Sequence, residues 1–182
     1  MRLNKFFHTI YDFESDKMDY ETEIKHAKTI ADIFEIVKDI VREYIGIDQA
    51  GLLVGIADLG AHQQGFIGAF YSLEANAIVI NKKPIARILQ TNPSLYNHYL
   101  FHIMLHEYIH SIGALEEAQA RQLVYEISKH YFGETHTITK FASDIGEFIP
   151  NLSYPIEGYQ PPQDANIEFV KGIDIKNTNY IN

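Results

Sequence analysis

Four histidines, His98, His102, His106 and His110, recur every four residues inside one apolar stretch that runs from Ser94 to Ile112. A helix brings such a series to one side of the chain. Each step of four overshoots a full turn by about 40°, so neighbours stack while the series drifts round the axis. Asn92-Pro93-Ser94 supplies cap chemistry at the start, and Gly113 stops the helix. Inside it stands His106-Glu107-Tyr108-Ile109-His110. Two imidazoles at i and i+4 lie one turn apart and can converge on one ion, while a carboxylate at i+1 flanks that ion without having to ligate it. That carboxylate is free to handle a water.

Composition limits how an ion could be held. The chain has nine histidines and no cysteine, so thiolate ligands, disulfides and iron–sulfur clusters are excluded and the donors are imidazole nitrogen and carboxylate oxygen. With 15 basic against 24 acidic residues the net charge is -9, which argues against nucleic acid and anionic lipid as partners. A length of 182 residues at 46% hydrophobic content suits one sizeable core. No apolar run approaches the ~20 residues needed to cross a bilayer. His8 and Asp12 interrupt the N-terminal stretch that a signal peptide would need. The expectation is a soluble, cytoplasmic protein without a membrane partner.

The remaining periodicities suggest an α+β chain. Ile24, Ala27, Ile30, Ala31, Ile33, Phe34, Val37, Ile40, Val41 and Tyr44 predict one long amphipathic helix from Tyr20 to Ile45, ended near Gly46. Leu52 to Ala57, Gly65 to Leu73 and Ala77 to Ile80 suit three strands of a small, mostly antiparallel sheet. Pro84 ends the last of them, with a short helical turn to follow. After the histidine helix, a second amphipathic helix is expected from Leu115 to Tyr131 and a short one from Thr137 to Phe148. Residues 1–149 read as the domain. Residues 150–182, with four prolines and scattered Asn and Gly, read as an irregular tail that is disordered, wrapping or folded over the cleft.

His106-Glu107-Tyr108-Ile109-His110 resembles the HExxH motif of zinc metallopeptidases. A catalytic zinc needs a third protein ligand and an open position. Glu116 completes HExxHxxGxxE, similar to the metzincin spacing with an acid for the third histidine, but Met1, Met18 and Met104 all lie upstream of where a Met-turn would fall. Only Leu152 within Asn151–Pro155 could stand in for that methionine. Glu117 instead resembles the glutamate ligand of the gluzincins, carried on a second helix, with Arg121 where better-known members have aspartate. The order of elements from Tyr20 to Tyr131 is similar to the smallest members, the minigluzincins. Glu117 is preferred and Glu116 stays as the alternative, a first-turn acid otherwise favoured by the helix dipole.

The resemblance implies a zincin-like fold, a zinc ion on His106, His110 and Glu117 or Glu116, and hydrolysis of a peptide or protein substrate with Glu107 as general base and acid. It also implies a tail that can block the cleft. A substrate would lie as an added strand on the sheet edge, for which Ala77 to Ile80 is the candidate, with a plain buried strand as the equal alternative for that segment. Tyr154 and Tyr159 are candidate donors to the oxyanion. His98 and His102 are expected in core or supporting roles, and His8, His26, His62, His130 and His136 as incidental. Two rival readings remain: a non-catalytic zinc brace closed by a fourth residue such as His102, and a metal-free interaction module.

Overall fold

A computed structural model describes residues 19–61, 65–155, 159–163 and 165–173; the N-terminal stretch, His8 and His62 lie outside them. The expected long N-terminal helix is two helices, α1 (Tyr20–His26) and α2 (Ile30–Ile45). Thr29 breaks the run. Its side chain accepts from Asp32 N–H at 3.1 Å, and Asp32 Oδ2 accepts from the N–H of Thr29 at 2.8 Å and of Lys28 at 2.9 Å, a complete capping box. Carbonyls at the end of α1 are also met from elsewhere: Asn97 Nδ2 donates to Ile24 O at 2.8 Å and to Ala27 O at 3.2 Å. Apolar periodicity runs through this junction because both helices bury the same side of the chain, with Ile24, Phe34, Val37, Ile40 and Val41 in the core.

The strands are β1 (Leu53–Ala57), β2 (Phe66–Ile67), β3 (Ala69–Ser72), β4 (Ala77–Asn81), β5 (Leu152–Ser153) and β6 (Glu168–Phe169). The three-stranded, mostly antiparallel sheet that was expected is a four-stranded mixed sheet in the order β3-β4-β1-β6. β1 and β4 run parallel in the register Leu53↔Ala77 to Ala57↔Asn81, while β3 and β6 are antiparallel to their neighbours. Ala77 to Ile80 is therefore an interior strand, buried at every position, and not a sheet edge. The outer strands are β3 and β6.

Segments beyond Pro150, expected to be irregular, contribute to both sheets: β6 closes the large one beside β1, and β5 pairs in parallel with β2. Gly65 permits the second pairing. Its φ of 135° is left-handed, and a side chain there would overlap the Asn151 carbonyl, whose oxygen accepts from Phe66 N–H at 2.9 Å.

The turn after β4 is a ten-residue helix, α3 (Lys82–Thr91), longer than the short turn expected. Asn81 starts it: its buried side chain accepts from Lys83 N–H at 3.2 Å and from Leu59 N–H at 3.2 Å and donates to Ile67 O at 2.9 Å. Then follow a single 3-10 turn (Pro93–Leu95), α4 (Tyr96–Ser111), α5 (Glu117–Phe132) and α6 (Thr137–Asp144). Every residue of α4 from Tyr99 to Ile109 is buried, so this helix is the centre of the molecule and not an amphipathic surface helix. Val54, Ala69, Ile78 and Ile80 share the main core with it, while Val79, Phe70 and Ala57 face the other side of the sheet under Tyr159, Ala165 and Ile167. Among the described residues no helix is long and apolar enough to cross a membrane.

Candidate metal centre

The turn between α4 and α5 builds the site. Gly113, at φ 111°, lets the chain reverse, with Ala114 N–H donating to Ile109 O at 3.2 Å and Gly113 N–H to His110 O at 3.1 Å. The reversal lays the Ala114 carbonyl over His110, whose Nδ1 donates to it at 2.6 Å. That bond orients the ring and turns Nε2 towards Glu117. Three residues after Ala114, Glu117 opens α5 and turns back towards the same point.

Three atoms converge there. His106 Nε2 and His110 Nε2 are 3.2 Å apart, and Glu117 Oε2 lies 3.3 Å from the first and 3.2 Å from the second. Ligand bonds of about 2.0–2.1 Å in a tetrahedron give ligand-to-ligand separations of about 3.3 Å, so these side chains fit a zinc-sized ion without rearrangement. Burial works to raise the Glu117 carboxyl, but its hydrogen bonds with His106 and His110 prevail and bring it down to about 2. Burial likewise works to lower His110, and the Glu117 carboxylate beside it reverses the sign. Glu117 is thus an anion throughout the neutral range. Glu116 takes no part: it is exposed at the N-cap of α5 and makes no capping bond.

Glu107 is 1% exposed. Burial raises its carboxyl above the usual range, against the opposing influence of His106 and His110 and of a hydrogen bond from the backbone N–H of Tyr71 in β3. Among the described residues, its Oε1 has no hydrogen-bond partner. Glu107 is thus a buried carboxyl with one oxygen open, next in sequence to the first of the three converging side chains.

Tyr154, from just beyond β5, lies flat on His106 with ring centroids 4.2 Å apart, and its hydroxyl meets His102 Nε2 at 2.8 Å. His102 is fully buried, and burial holds it down to about 3, a neutral imidazole. It belongs to Tyr154 and not to the trio of donors. Arg121 sits with its guanidinium 5.5 Å from the Tyr154 ring centre. Tyr159 packs against Phe70, at 5.3 Å, on the face of the sheet turned away from α4. Leu152 of β5, the stand-in for a turn methionine, pairs with Phe66 of β2.

His98, expected in a core or supporting role, and His136, expected to be incidental, gather with Glu21 into a second group of potential ligands. Nothing in the sequence spacing joins residues 21, 98 and 136; only the packing of α1, α4 and α6 does. Tyr71, which holds Glu107 through its backbone, was equally out of reach of pattern reading. Comparison with protein-family models, curated proteins and solved structures returned no match.

Proposed function

We propose that this chain is a zinc-dependent metallopeptidase whose metal is held by His106, His110 and Glu117. The observation that carries the reading is the triangle of ligand atoms, 3.2–3.3 Å on each side, with a buried carboxylate on the residue that follows the first histidine. When bound there, zinc supplies a Lewis acid that brings a ligated water's pKa towards ~7. The chain does the rest. Glu107, steered by the Tyr71 N–H, takes a proton from the water as its oxygen adds to the peptide carbonyl carbon, and returns it to the amine nitrogen as the C–N bond breaks. An exchange of one water for one peptide bond balances, with Glu107 unchanged at the end.

The outer strand β3, which touches the site through Tyr71, replaces β4 as the edge along which a peptide substrate lies. The tail occupies the neighbouring stretch: β5 runs beside β2 and delivers Tyr154 onto His106. On this reading the tail covers the metal-binding side chains until it is displaced, and it is a built-in restraint on activity. Tyr154 serves that restraint in place of the oxyanion role expected for it. A purely structural zinc would want a fourth protein donor; His102, the candidate, gives its nitrogen to Tyr154 instead.

Metal analysis of protein purified without added metal tests the ligand set. Zinc at this centre is expected in the parent and lost in Glu117→Gln, but retained in Glu116→Gln. Zinc lost from Glu116→Gln and kept by Glu117→Gln would reverse the assignment.

A further inference from the structure

We propose that Glu21, His98 and His136 form a second site for a borderline divalent transition metal such as zinc, which ties α1 and the start of α6 to the first half of α4. The three side chains come from three elements, and one ligand atom of each lies within 4.8 Å of the others. His136 Nε2 is 2.9 Å from Glu21 Oε2, and the His98 and His136 rings are 5.5 Å apart, edge to face. The site does not rest on the peptidase reading.

His98 supplies the independent sign. Both of its ring nitrogens are buried, and among the described residues neither has a hydrogen-bond partner. An imidazole left that way is costly unless something else uses its lone pair. Two imidazoles and one carboxylate form the donor set that zinc, cobalt or nickel takes readily. Lys25 pairs with Oε1 of Glu21, which leaves Oε2 facing the histidines. The site would lie about 12 Å along α4 from the first one, eight residues at 1.5 Å each.

Entry has a visible consequence. His136 is the N-cap of α6, its Nδ1 accepting from Ile138 N–H at 3.2 Å, so in the metal-free protein Nε2 carries the proton and gives it to Glu21. Ligation through Nε2 moves that proton to Nδ1 and opens the cap. The Ile138 amide then loses its acceptor.

Zinc titration of the metal-stripped full chain, followed by metal analysis and by exchange of the Ile138 amide, tests the proposal. Two zinc ions per chain are expected in the parent. One each is expected in His98→Gln, Glu21→Gln and His110→Gln, and Ile138 exchange should quicken as the second site fills in the parent but not in His98→Gln. A parent chain that binds one zinc, lost in His110→Gln, would overturn this site and leave the first intact. So would a second zinc that survives in both His98→Gln and Glu21→Gln. A zinc count unchanged in His110→Gln would tell against the first site alone.

Discussion

The four histidines of α4 share one spacing and meet three different surroundings. The 40° drift per step carries His98 towards α1 and α6, His102 towards Tyr154, and only His106 and His110 towards Glu117. Chemistry follows placement. His102 has an ordinary value of 6.5 and is held down to about 3 by burial. Between those values the unfolded chain binds a proton that the folded chain refuses, so His102's contribution is whole above about pH 6.5 and is lost as the pH falls towards 3. Urea unfolding should therefore show a smaller loss of stability from pH 7 to pH 4.5 in His102→Gln than in the parent. Equal losses would show that the buried ring is not what responds to acid. At the same scale, Gly113 has open space around the position of a Cβ but a φ of 111°. Gly113→Ala is expected to cost about 1–3 kcal/mol through backbone strain, and to weaken zinc binding by displacing the Ala114 carbonyl from His110. Retention of full zinc affinity would separate the turn from the site.

Among the elements, the break between α1 and α2 and the short strands of the tail carry the most. Thr29→Ala removes the cap of α2 and should lower unfolding free energy by about 1 kcal/mol; no change in denaturant midpoint would mean that the Asn97 bonds alone hold the junction. Gly65→Ala is the cleaner probe of the tail. A side chain at 65 displaces Asn151, so β5 should detach from β2 and lift Tyr154 from His106. On the peptidase reading hydrolysis should then rise, with sensitivity of the 150–155 region to an added protease rising alongside. A tail loosened without any gain in hydrolysis would remove its restraining role.

For the molecule as a whole, what the sequence carried was local. The HExxH helix, its glycine stop, the helix that begins with Glu117 and the short helix after it are all set by neighbours within a few residues, and periodicity finds them. Thr29-x-x-Asp32 was also legible as a capping box, but continuous apolar spacing masked it. The parallel pairing of β1 with β4, the two-residue strands of the tail and the meeting of Glu21 with His98 and His136 depend on contacts between residues far apart in the chain, which leave no local trace. The interior position of β4 belongs with these, since a fully buried strand and an edge strand share the same apolar run.

The claim that binds these scales together is that Glu107 is a proton carrier beside a metal held by its neighbours. Peptide hydrolysis by Glu107→Gln, with zinc content measured on the same sample, is its most direct test. The account predicts the parent's full complement of zinc and a fall in hydrolysis of roughly 10²-fold or more. Hydrolysis at the parent's rate with zinc in place would contradict it.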